Sequence, residues 1–159
     1  MTRALVVGMR PKQWTKNLII FFALLFTVGE AWSPGDFSTA GPLIRDAVFA
    51  FLLFSALSGA IYLINDVTDV DRDRAHPKKR RRPVASGQLT QTAALATAGV
   101  IIGVSLALSF VLRMDFGWVA LSYTALMTAY SLLLKRLVIL DVFAIGSGFV
   151  LRAIAGAAV

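Results

Sequence analysis

Residues 47–73, AVFAFLLFSALSGAIYLINDVTDVDRD, decide the fold of this chain, because eighteen uncharged and mostly apolar residues run straight into a crowd of carboxylates. At about 1.5 Å per helical residue, that run covers most of a bilayer core roughly 30 Å thick. The acids Asp66, Asp69, Asp71 and Asp73 then stand at a membrane-water boundary. If the helix continues for two more turns, Asn65, Asp69 and Asp73 share one face at i, i+4 and i+8, with Asp66 beside them and Asp71 opposite. Carboxylates so close repel one another unless a cation binds them or some are protonated. A hard divalent ion is the simplest remedy, and Mg2+ typically joins one or two carboxylates to substrate phosphates. Asp66, Asp69 and Asp73 are the expected ligands. The competing reading is a solvated acidic loop that pairs with the arginines beside it.

Composition points the same way. With 57% hydrophobic residues and a mean hydropathy of +0.73, the chain is too apolar for an ordinary soluble domain. Five stretches are expected to be membrane helices: 18–32, 47–64, 90–112, 116–134 and 137–159. The first is short and runs into Gly29 and Glu30, and the last carries Asp141 and Arg152, about three turns apart and too distant to pair with each other. No small-residue cleavage site follows the first stretch, so it does not read as a secretory signal.

Orientation follows from the cations. Four Lys and Arg precede the first stretch, seven follow Ile64 and two stand at Lys135-Arg136, whereas the alternate loops hold mainly acids. The positive-inside rule puts those three regions in the cytoplasm, and the plasma membrane is the expected location. The 159 residues thus read as one membrane domain, with 65–88 as a cytoplasmic loop at the site. Zero cysteines exclude disulfides and thiolate metal centres. The net charge of +7 lies beside spans rather than on a soluble face, which favours anionic lipid or phosphate over nucleic acid.

The basic run Arg72, Arg74 and Lys78 to Arg82, stiffened by Pro77 and Pro83, is suited to closing over an anion; a topology signal facing anionic lipid is the alternative. His76 could assist there, although a lone loop histidine is more often solvated. Lys16 and Asn17, at the same expected depth as the acids, are candidate substrate contacts, against simple snorkelling. Lys135 is placed to meet a diphosphate, against a role as an anchor. No Gly-rich phosphate loop and no nucleophile arrangement is present.

The motif Asn65-Asp66-x-x-Asp69-x-x-x-Asp73, together with Arg10 to Asn17, His76 to Gly87, Tyr130 to Lys135 and Gly148 to Ala157, resembles the UbiA superfamily of intramembrane transferases, and within it the decaprenyl-phosphate phosphoribosyltransferase branch. The resemblance implies an all-α polytopic bundle. It also implies Mg2+-dependent transfer of 5-phosphoribose from phosphoribosyl diphosphate to a polyprenyl phosphate, with release of pyrophosphate, for a cell-wall arabinan precursor. In that role Lys16, Lys79, Arg82 and Lys135 would meet phosphate, and Asn65 would orient a ligand or hydroxyl. The superfamily's second polar motif is missing after Asp73, so the chain resembles the first half of such an enzyme, expected to be inactive by itself. A homo-oligomer or a complementing C-terminal half would then be a partner. Two other functions fit the same residues: an aromatic prenyltransferase using a polyprenyl diphosphate, and a membrane scaffold or divalent-cation transport unit without chemistry.

Overall fold

The computed structural model describes every residue except Leu134, Arg136 and Leu137, together with the side chains of Val138 and Asp141. Among the described residues the chain is helical throughout: α1 (Thr2–Gly8), a 3-10 helix (Pro11–Phe21), α2 (Phe22–Phe26), α3 (Phe37–Thr68), α4 (Val70–Ala75), a short 3-10 turn (Lys79–Arg81), α5 (Gln91–Leu112), α6 (Met114–Leu132) and α7 (Val138–Ala158).

α3 is the central element. Asp36 caps it by accepting the Ser38 amide at 3.0 Å, and its 32 residues extend about 48 Å, long enough to cross a bilayer at a tilt. Helices α5, α6 and the 3-10 helix pack on it, and α7 fills the gap between α6 and the 3-10 helix. The core between them holds Ile20, Phe54, Leu57, Phe116 and Tyr123. A second cluster at the other end, built from Ala60, Leu63, Val70, Val84 and Leu89, seats the acidic motif and the loop after it.

α5 shows why the bundle belongs in lipid. Its inward residues are small, Ala94, Ala98, Ser105 and Ser109, while Leu95, Val100, Val104, Leu108 and Val111 face outward. Only 17% of its most apolar window is buried. In water this pattern would be inside out; in a bilayer, small residues let helices approach and large ones meet the acyl chains.

The count of five spans needs correction. α3 and α5 are the described helices long and apolar enough to cross a membrane, and Val142–Ala158 is a shorter apolar stretch. α6 is long enough but less apolar, because Tyr123, Thr124 and Ser131 turn inward. The stretch 18–32 does not form one helix: the 3-10 helix passes into α2, which ends at Phe26, and Gly29 (φ 84°) then turns the chain. There the Trp32 indole donates to the Leu24 carbonyl at 2.9 Å. Leu18 to Phe26 gives nine unbroken apolar residues before Thr27, too few for a span, and Gly29 supplies the left-handed conformation that turns the chain.

Candidate active site

The acidic motif does not continue as one straight helix. α3 ends at Thr68, Asp69 leaves helical geometry (φ −103°, ψ 7°), and α4 begins at Val70. The carboxylates fall into two groups. Asp66 and Asp73 are each 1% exposed and share the Arg82 guanidinium, whose Nη1 lies 2.6 Å from Asp73 and 3.4 Å from Asp66. Arg10 donates to Asp66 as well. Asp69 belongs instead to a cluster around Lys135, whose Nζ lies 2.8 Å from Asp69, 3.1 Å from Asn65 and 3.1 Å from Thr68. Asn65, Thr68 and Asp69 are spaced i, i+3 and i+4, which explains how one lysine reaches all three. Asp71 points away, as its position requires, with its side chain 93% exposed beside Arg74.

Arg10 reaches this site through an unusual backbone. It has φ 53° and ψ 65°, a left-handed conformation uncommon for a side-chain-bearing residue. The turn ends α1, starts the 3-10 helix at Pro11, and leaves the guanidinium 4.6 Å above the Tyr62 ring. In the basic loop, the His76 imidazole Nδ1 accepts the backbone amides of Lys78 and Lys79 at 3.2 and 3.3 Å. That cap forms the turn which directs Arg82 inward while Lys78 to Arg81 stay exposed. The histidine shapes the loop.

Above these residues lies a cavity of about 420 Å³, whose wall includes Arg10, Lys16, Arg72, Lys79, Arg82, Lys135 and Arg152, with Asp69 as its carboxylate. Of the residues expected from sequence, Lys16, Asn65, Asp69, Lys79, Arg82 and Lys135 line it. Asp66 and Asp73 lie buried beside it. Asn17 does not face it: fully buried, it donates to Ser55 at 3.0 Å and accepts from Arg152 Nε at 2.7 Å. It holds the bundle together behind the wall.

Among the described residues no three acids gather tightly enough to hold one ion. Two carboxylates do offer ligand atoms: Asp66 Oδ2 and Asp73 Oδ1 are buried and accept no hydrogen bond. Open carboxylate oxygens next to a phosphate-sized basic cavity are a donor set suited to Mg2+, which uses few protein ligands.

Comparison with known proteins now bears on the site. A family model for the UbiA prenyltransferase family matches residues 19–159. The chain belongs to that family. UbiA proteins are integral membrane helical bundles, which agrees with the lipid-facing surface of α5. The chain is 40% identical over 152 residues to decaprenyl-phosphate phosphoribosyltransferase of Mycolicibacterium smegmatis, covering 96% of this chain and 46% of that one. It is 37% identical to the protein of the same name from Corynebacterium glutamicum, over 96% and 45%. It is also 30% identical to protoheme IX farnesyltransferase of Archaeoglobus fulgidus, over 84% and 44%. The chain therefore spans about half the length of the curated relatives it matches.

Several residues of this UbiA site were not assigned from sequence. Arg10 was part of a recognised stretch without a role, because nothing local announces its left-handed backbone. Ser58, Tyr62 and Tyr123 also line the cavity; the available signal was that polar side chains within spans turn inward. Arg152, a charge within a span that needs a partner, has three acceptors, Asn17, the Gly148 carbonyl and Tyr123. The side chain of Asp141, raised with it, lies outside the described residues.

Proposed function

We propose that the chain is part of a transferase that moves 5-phosphoribose from phosphoribosyl diphosphate to a polyprenyl phosphate, with release of pyrophosphate, from a mouth open to the cytoplasm. One observation carries the reading: seven cations line the cavity beside two buried carboxylates with open oxygens. Departure of a diphosphate from an anomeric carbon builds negative charge on the leaving group and oxocarbenium character on the sugar. Lys135, Arg72 and Lys79 are positioned to take up the first. Arg10 and Arg82 bridge the diphosphate side of the cavity and the acids. Asp66 and Asp73 would hold Mg2+, while Asp69 anchors Lys135 at 2.8 Å. Bound there, Mg2+ would act as a Lewis acid and template for the leaving group. The acceptor phosphate is already an oxyanion, so no general base is needed, and the apolar exterior suits a lipid tail.

The names of the mycobacterial and corynebacterial relatives support this substrate class, an arabinan precursor being the expected product. The resemblance to protoheme IX farnesyltransferase keeps a second reading in view, alkylation of an aromatic acceptor by an allylic diphosphate, because the acids and cations suit either leaving group.

The test is Mg2+-dependent pyrophosphate release from phosphoribosyl diphosphate, with and without polyprenyl phosphate, by membrane-embedded protein. It is run on this chain and on the protein extended to its relatives' length. Release by the longer protein that requires the lipid phosphate supports the proposal, and silence of the shorter chain would show that the remaining length is required. Release from an allylic diphosphate alone would transfer the assignment to the second reading.

A further inference from the structure

The cavity extends well below the acidic mouth. Its floor includes Ser58, Tyr123, Phe149 and Arg152, and Ser58 precedes Asp66 by eight residues on α3, about 12 Å along the helix axis. Arg152 is 8% exposed, so a permanent positive charge stands in the middle of the bundle. Such a charge is costly without a partner. Among the described residues it has neutral acceptors: Asn17 Oδ1 at 2.7 Å, the Gly148 carbonyl at 2.7 Å and the Tyr123 hydroxyl at 2.8 Å. The Tyr123 and Phe149 rings lie 4.8 and 5.4 Å from its guanidinium carbon.

A guanidinium has five N–H groups. Those three bonds use the Nε proton and one proton on each terminal nitrogen, which leaves one N–H on each terminal nitrogen without a partner among the described residues, in a side chain that lines the cavity. The Tyr123 hydroxyl, in turn, lies 3.1 Å from Ser58 Oγ. Ser58 Oγ donates to the Phe54 carbonyl at 2.7 Å, so the Tyr123 hydroxyl is the one that can turn to an incoming ligand, and a fixed charge with two remaining N–H donors beside it matches a tetrahedral dianion better than a neutral group.

We propose that Arg152, with Tyr123 and Ser58, forms a second anion subsite that takes a phosphate monoester, separate from the diphosphate position at the mouth. The inference rests on the transferase reading above, whose reactants bring two such groups: the 5-phosphate of the donor and the headgroup of the lipid acceptor. In the first case the subsite positions the anomeric carbon and in the second the attacking oxyanion, each time by holding a phosphate that does not depart.

The experiment measures binding of ribose 5-phosphate and of farnesyl phosphate to solubilised wild-type protein, Arg152→Gln and Arg152→Lys, with thermal melting to verify folding. In parallel, KM is determined for phosphoribosyl diphosphate and for polyprenyl phosphate. Arg152→Gln is expected to weaken one probe about tenfold, with partial recovery in Arg152→Lys, whose ammonium keeps the charge but not the fork. Loss confined to ribose 5-phosphate, with a raised KM for the donor, identifies the donor's 5-phosphate. Loss confined to farnesyl phosphate, with a raised KM for the lipid, identifies the headgroup. If Arg152→Gln does not fold, Arg152→Lys and Tyr123→Phe carry the same comparison. Wild-type affinity for both probes in folded variants overturns the subsite, as does wild-type protein that binds neither. Turnover of phosphoribosyl diphosphate with unchanged KM values would remove the subsite and leave the transferase. Arg152-dependent binding without that turnover would do the reverse.

Discussion

Asp66 and Asp71 are five residues apart and chemically identical, yet the fold gives them opposite situations. Asp66 is buried between Arg10 and Arg82, whereas Asp71 meets solvent beside Arg74 at 3.6 Å. Asp66→Asn should lower pyrophosphate release at least about 100-fold, because it removes a carboxylate that would hold the Mg2+ stabilising the leaving group. Asp71→Asn should stay within about twofold of wild type, since an exposed ion pair contributes little. Steady-state release assays on both variants make the comparison. The metal is tested without turnover by Mn2+ electron paramagnetic resonance, with EDTA as a blank: the wild-type protein should immobilise the ion, and Asp66→Asn combined with Asp73→Asn should not. Lys135→Met should raise KM for the diphosphate substrate about tenfold, because the ammonium that gathers Asn65, Thr68 and Asp69 is also the cation closest to them.

At the scale of elements, the junction of α7 with the 3-10 helix determines the shape of the site. A Cβ on Gly156 would lie 2.1 Å from the Ile20 carbonyl oxygen, so backbone meets backbone there with no flexible side chain to yield. Gly156→Leu should push α7 away from the Asn17 to Arg152 bond and destabilise the bundle by about 1–3 kcal/mol, read from thermal unfolding in detergent. The other sensitive junction is the start of α3. The Ser38 hydroxyl and amide hold the Asp36 carboxyl below its ordinary value. A lowered folded value means that the cap contributes above the unfolded value and is lost as pH falls through the folded one. Asp36→Ala should therefore separate from wild type in unfolding at neutral pH and converge with it in acid. Neither junction was legible in the sequence. Hydropathy marks α3 and α5 because their apolar runs are long, but it cannot show that residues 11–21 tighten into a 3-10 helix or that Asp69 breaks the motif. The i, i+4, i+8 expectation assumed an unbroken helix. Asp66 and Asp73, seven residues apart, instead share Arg82, and Asp69 pairs with Lys135. What the sequence did carry was chemistry that depends on position alone: carboxylates at the end of a span, a basic loop after it, and Lys135 at the matching end of α6.

For the whole molecule, orientation is the claim most open to direct test, because the chain contains zero cysteines. Single cysteines at Arg80 and at Ser33 should react with a membrane-impermeant maleimide from opposite faces, Arg80 from the cytoplasmic side; labelling of both from one face would refute the arrangement. The lipid-facing surface of α5 and the basic lining of the cavity follow from one partition of the chain, in which large apolar residues go outward and polar ones converge. Arg152 and Asn17 join the two ends of that arrangement across 135 positions of sequence. Synthesis delivers them far apart in time. Asn17 is made early, meets Ser55 once α3 is complete, and waits while α5 and α6 are laid down; the arginine that completes the bond arrives with the last described helix. A loop of that length closes late and slowly relative to local pairings. The newborn bundle therefore stays open along the seam between α7 and the 3-10 helix until α7 has been made, and that seam is where quality-control factors in the membrane would find an unfinished molecule.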